Sequence, residues 1–139
     1  MKIFLLSIVL LLSNLAFSSD IVTDQVSVSS SANVQLAGAI NLKVGAVSAS
    51  KGNDIWGWTD PSSKKEYAIM GLNSKTSFVD VTNPSNPIHL ADIKTATISS
   101  TWRDVKIYKN YAFIVSEAWY HGMQVFDLHR LRDLDGKKV

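Results

Sequence analysis

Six residues from Glu66, "EYAIMG", reappear as "NYAFIV" from Asn110, with Tyr67 over Tyr111 at an offset of 111 − 67 = 44. "SFVDV" and "QVFDL" align Asp80 with Asp127 at 127 − 80 = 47, and "NDIW" and "RDVK" align Asp54 with Asp104 at 104 − 54 = 50. Self-similarity at a period in the forties, carried by short β-rich runs, constrains the fold more than any other feature of the chain. It is the pattern of four-stranded β-propeller blades, each of which needs a neighbour to bury its apolar face. Turn clusters such as "TDPSSKK", "TNPSNP" and "YKN" separate the runs, as proline, glycine and short polar residues do between strands. Only "DLHRLRDL" suits helical turns, with Leu128, Leu131 and Leu134 recurring every three residues.

The alignment orders the strands within a blade. Innermost come "DIWGW" and "RDVKIY", then "EYAIMG" and "NYAFIV", then "TSFVDV" and "MQVFDL", with "IHLADI" outermost. "VQLA" from Val34 echoes "IHLA" from Ile88. Val34 to Leu42 is therefore expected to be an outer-type strand that closes the ring and covers an edge open to aggregation.

Residues 1–19 form a separate unit. Lys2 precedes the apolar run Ile3 to Leu12, and small residues follow at Ala16, Ser18 and Ser19, the layout of a cleaved secretory signal peptide. The run is about half the ~20 apolar residues that a spanning helix needs, so no membrane span is expected after cleavage. Residues 20–52 read as a low-complexity lead followed by the ring-closing strand, and 53–139 as the blades. With no cysteine in the chain, disulfides and thiolate metal sites are excluded. Hydrophobic residues at 46% and charged residues at 19% fit a folded globular protein rather than a disordered one. The net charge of +2 leaves no basic stripe for nucleic acid.

"GNDIWGWTDPSSKKEYAIMGLNSKTSFVDVTNPSNP" and "WRDVKIYKNYAFIVSEAWYHGMQVFDLHRL" resemble the start of the bacterial choice-of-anchor B proteins, which carry LVIVD repeats. The resemblance covers roughly Val34 to Leu134. It implies an all-β propeller of four-stranded blades, exported and surface-associated, with a C-terminal anchor that differs between members and no assigned activity. Propellers usually have four or more blades. The chain is therefore expected to hold only the first one to two, the first complete and the second truncated.

Repeated residues read as framework. Asp80 and Asp127, each ending a strand before a turn, are placed to accept hydrogen bonds from turn amides. Asp54 and Asp104 begin the innermost strands at the channel entrance, where they either bind a cation or a polar ligand or accept backbone N–H bonds between blades. Arg103 stands where the first blade has Asn53; beside Asp104 it suits a carboxylate or sulfate, or an inter-blade salt bridge. Trp56 and Trp58 share one strand face and suit the space between blades.

The offset grows from 44 to 47 between the second and third strands, so the second blade carries three extra residues within "SEAWYHG". Gly122 is placed to supply a tight conformation where the loop re-enters the strand. Trp119, Tyr120 and His121 lie on a loop without a counterpart, on the face where propellers bind ligands. The ligand-binding candidates are thus Trp119, Tyr120, His121, Arg103, Asp104 and Asp54. No catalytic residue, metal or cofactor is expected: His89 and His129 fall elsewhere, and "DLDG" lacks the oxygen ligands of a calcium loop.

The function expected is that of a non-catalytic binding module outside the cytoplasm: secreted, at the cell surface or in the periplasm. Its partner would be a cell-surface or extracellular protein or polysaccharide. The alternative is a propeller hydrolase or lyase acting on extracellular polymers, its site completed by further blades; fold alone does not decide between them.

Overall fold

A computed structural model describes residues 36–42 and 49–136. The signal peptide expected over 1–19 and most of the lead over 20–52 lie outside the described residues. Among those described, the chain is all-β, with two antiparallel sheets and one short 3-10 helix. The first sheet is a meander of β1 (Gly52–Thr59), β2 (Glu66–Leu72), β3 (Lys75–Asp80) and β4 (Ile88–Lys94). The second has β5 (Arg103–Tyr108), β6 (Tyr111–Ser116) and β7 (Met123–Asp127), and the 3-10 helix Leu128–Asp133 follows. None of the described residues belongs to a helix long and apolar enough to cross a membrane.

The two ladders share one register. Tyr67 pairs with both Trp58 and Asp80, and Tyr111 pairs with both Tyr108 and Asp127. Asp80 and Asp127 end their strands in the same way, accepting from Thr82 N at 2.9 Å and from His129 N at 3.0 Å. The spacing of Leu128, Leu131 and Leu134 matches the three residues per turn of a 3-10 helix, where side chains at i and i+3 eclipse. Leu128 and Leu131 accordingly enter the core together, with Leu134 packed against it.

Burial runs in opposite phase in the two sheets. In the first, Trp58, Tyr67, Ile69 and Phe78 are buried; in the second, the positions one residue out of step, Val105, Ala112 and Ile114, are buried. A strand's side chains alternate between faces, so the front of one sheet lies on the back of the next. Trp58 stacks on Tyr67, with centroids 5.3 Å apart, and Phe78 meets Phe126 at 4.6 Å. Leu90, the extra residue of a bulge between the Phe78–Ala91 and Val79–His89 pairs, turns into the same core. Trp56 stays half-exposed, with Lys106 Nζ 4.3 Å above its ring.

Of the ring-closing strand expected over 34–42, residues 36–42 are described, and they are not part of either sheet. Gly38 lies against the β3–β4 turn, where a Cβ would collide with the Pro84 carbonyl and crowd Pro87.

At the end of the sheets where the helix lies, Asp60 joins the β1–β2 turn to the region after β7. Its carboxylate accepts from Arg132 Nε at 2.7 Å and Nη2 at 2.6 Å, and from Ser63 Oγ at 2.7 Å and Ser62 N at 2.9 Å. The Arg132 hydrogen bonds hold the Asp60 carboxyl far below its ordinary range, against the opposing effect of burial. A carboxyl depressed in the folded state contributes stability above its unfolded value, near 3.8, and loses it as pH falls below that value. Asp60→Asn is therefore expected to unfold at lower denaturant at neutral pH. Its stability should also fall less steeply with acidification, by up to about one proton; an unchanged acid slope in urea titrations would contradict the clamp.

Close approach of the sheets depends on Gly71, where a Cβ would stand 2.7 Å from the Arg103 carbonyl oxygen. Gly71→Ala is expected to cost about 1 to 3 kcal/mol through overpacking. The control is Gly57→Ala, whose Cβ would meet Tyr67 O at an ordinary 3.9 Å and which should be neutral or stabilise by up to about 1 kcal/mol, because glycine within a strand loses more chain entropy on folding than alanine. Equilibrium denaturation of the pair measures both.

Candidate functional site

The β2–β3, β4–β5 and β6–β7 connections gather at the opposite end. Asn73 ties the first of these to its neighbours. Its side-chain oxygen accepts from Ser50 N at 2.9 Å, and its backbone oxygen accepts from Ser100 N at 2.9 Å.

Alternation along β5 turns Arg103 inward with Val105 while Asp104 faces out. The Arg103 side chain is completely buried. Nε donates to Leu72 O at 2.8 Å, Nη2 to Thr95 Oγ1 at 2.7 Å, and Nη1 bonds His121 Nε2 at 2.9 Å. One guanidinium thus joins β2, the β4–β5 connection and the β6–β7 loop. Among the described residues no carboxylate pairs with it, so the salt bridge expected at Arg103 is replaced by three neutral acceptors. Burial lowers its pKa, yet a guanidinium stays charged in proteins.

This contact assigns the His121 tautomer. A guanidinium can only donate, so Nε2 accepts, and the ring proton resides on Nδ1, which donates to Gly122 O at 3.1 Å. The imidazole is buried.

Above this pair the loop turns outward. His121 N donates to Ala118 O at 3.0 Å, and Tyr120 takes φ +57 and Gly122 φ +62. The left-handed conformation that the sequence placed at Gly122 therefore extends to a tyrosine, where it carries a steric cost of about 1 to 2 kcal/mol. Trp119 is 77% exposed and Tyr120 92% exposed, their rings edge to face at 6.2 Å. The Trp102 carbonyl accepts from Ser116 Oγ at 2.8 Å, which brings the 95–102 connection, with exposed Ile98 and Trp102, beside this loop.

The six candidate residues thus divide by accessibility. Trp119 and Tyr120 are presented to solvent, whereas Arg103 and His121 lie beneath them and hold the loop. Asp54 accepts from Val105 N at 2.9 Å and Lys106 Nζ at 3.1 Å. The Val105 hydrogen bond is the main cause of its lowered pKa, and its role is that of a clamp between sheets. Asp104 is exposed and accepts from Asn53 Nδ2 at 3.3 Å. Because Arg103 and Asp104 project to opposite faces, they do not converge on one anion.

Two further groups were not singled out in the sequence. Lys75, buried on β3, pairs with Asp92 at 2.8 Å, and Asp92 also accepts from Ser77 at 2.6 Å and bonds His89 at 2.8 Å. Burial raises the Asp92 carboxyl, but these partners outweigh it and leave the pKa lowered. Ser77 and His89 both bond the same carboxylate oxygen, so the arrangement braces β3 to β4 and makes no serine–histidine nucleophile. At the helix end, a cleft of about 320 Å³ is lined by Lys65, Asp80, Arg132 and Asp133 among others. Arg132 is committed there to Asp60 and Lys65 to Asp80.

His121→Ala leaves a buried Arg103 donor without its acceptor and is expected to destabilise the fold by about 1 to 3 kcal/mol. Denaturant titration measures this. A loss below about 0.5 kcal/mol would show that the Arg103–His121 bond does not hold the loop.

Comparison with protein-family models, with curated proteins and with solved structures finds no match for this chain.

Proposed function

We propose that the two sheets are successive blades of an LVIVD-type β-propeller of the choice-of-anchor B kind, exported from the cytoplasm. In this reading the protein is a binding module at or outside the cell surface. The observation that carries it is the exposed Trp119–Tyr120 pair, held on a loop whose next residue is bonded to buried Arg103. Large apolar rings kept in water on a rigid support suit a contact surface, because they add burial on binding with little ordering cost. The shared ladder register and opposite burial phases support the blade assignment. Trp102 and Ile98 extend the surface, which fits an extended partner such as a polysaccharide strand or a protein of the cell envelope.

The test is binding of the purified chain to immobilised cell-envelope polysaccharide and to envelope protein fractions. Replacing Trp119 and Tyr120 by Ser is expected to weaken binding at least tenfold, about 1.4 kcal/mol. Stability should stay within about 0.5 kcal/mol, as for exposed loop positions generally. Equal binding by the double variant would remove the loop from the contact surface, and a matching loss of stability would make the two rings packing residues.

A further inference from the structure

The ion pair between β3 and β4 is almost completely enclosed. The Lys75 side chain is wholly buried and that of Asp92 is 4% exposed, with Nζ 2.8 Å from Oδ2. Alternation puts Lys75 and Ser77 on one face of β3, and Ser77 stands directly opposite Asp92 in β4. Lys75 is therefore the diagonal neighbour of Asp92, a separation that a long side chain spans. While Oδ2 takes Lys75, Asp92 Oδ1 accepts from Ser77 Oγ at 2.6 Å and meets His89 Nε2 at 2.8 Å. An ionised carboxylate only accepts, so His89 Nε2 is a donor here.

This geometry holds more than a salt bridge requires. An amine stands against one oxygen of a carboxyl group whose other oxygen faces two donors. Those donors lie where negative charge would develop if the amine added to Cγ. Enclosure supplies both proximity and drive. Well-oriented intramolecular partners reach effective molarities of about 10⁵–10⁸ M, and each ion of a buried pair carries a desolvation cost. Condensation to an amide removes both charges and releases a water.

We propose that Lys75 and Asp92 join in an intramolecular isopeptide bond that staples β3 to β4. One proton passes from Lys75 Nζ to Asp92 Oδ2, which neutralises both groups. The amine lone pair then attacks Cγ, and the carbonyl electron pair moves onto Oδ1, where Ser77 and His89 hold it. A second proton passes from the nitrogen to Oδ2, the Cγ–Oδ2 bond breaks, and Oδ2 leaves as water. The product is a neutral secondary amide whose oxygen keeps the Ser77 and His89 hydrogen bonds. The step is a condensation and consumes no oxidant. In a chain without cysteine it provides a covalent brace that reductants do not open. The bond depends on neither the blade reading nor any ligand at Trp119 and Tyr120.

Tryptic peptide mapping of the purified chain by mass spectrometry tests it. Without the bond, trypsin cuts after Lys65, Lys75 and Lys94 and yields 66–75 and 76–94 as separate peptides. The bond blocks cleavage at Lys75. Residues 66–94 are then expected as one peptide, one water lighter than its sequence, releasing no backbone fragments between Lys75 and Asp92 in tandem spectra. Cleavage at Lys75 with both peptides at full mass overturns the proposal. So does a 76–94 peptide that is one water lighter yet still cut at Lys75, because Asp92 has then cyclised onto its own backbone. Lys75→Arg and Asp92→Ala chains are expected at full mass, and a bridged peptide in either would also overturn it. In samples taken at intervals after cell-free synthesis, the double variant Ser77→Ala, His89→Leu should form the bond at least about tenfold more slowly than the parent. Formation at the parent's rate rejects the mechanism. Should that variant fail to fold, the parent's peptide map decides alone.

Discussion

Packing of β5 across β1 and β2 is the contact on which the rest of the structure depends. Neither sheet can bury both of its faces, and a small sheet standing alone has marginal stability in water. The inner face of the first sheet is shielded because Val105 and Ile114 of the second lie over Trp58, Tyr67 and Ile69. Gly71 permits the approach, since its missing side chain leaves room for the Arg103 backbone. Asp54 then fixes the register by accepting from Val105 N.

Each end of this contact is closed by an arginine, in opposite electrostatic ways. At the helix end, Arg132 meets Asp60 in a two-point ion pair whose carboxylate is further bonded by two serines. At the loop end, Arg103 is buried among neutral acceptors. A buried cation without a counter-ion is costly unless its donors are satisfied, and three separate segments supply what Arg103 requires. That requirement immobilises the β6–β7 loop from below. It explains how a loop can hold Tyr120 at a positive φ and keep two large rings in water.

Much of this site can be read in the sequence, though the division of labour within it cannot. The three-residue offset change located the β6–β7 loop, and the rings of Trp119 and Tyr120 are indeed exposed. His121 adjoins them in sequence but serves the interior. The inward direction of Arg103 was available from alternation, since Arg103, Val105 and Ile107 share a strand face. What alternation could not supply was its set of partners, which come from Leu72, Thr95 and His121 on three other segments. Trp102, next to Arg103 in the chain, could have been added to the surface by the same alternation.

Strand positions, turn chemistry and the common ladder register follow from the sequence by itself. Side-chain alternation and turn residues act over a few neighbouring positions, and they place Tyr67 opposite Asp80 just as they place Tyr111 opposite Asp127. Which face of each sheet is interior was decided only in the tertiary structure. Tyr67 and Tyr111 occupy the same position in similar strands, yet one is buried and the other open. The difference comes from which neighbouring sheet lies against each, a contact between residues some fifty positions apart that no local pattern encodes.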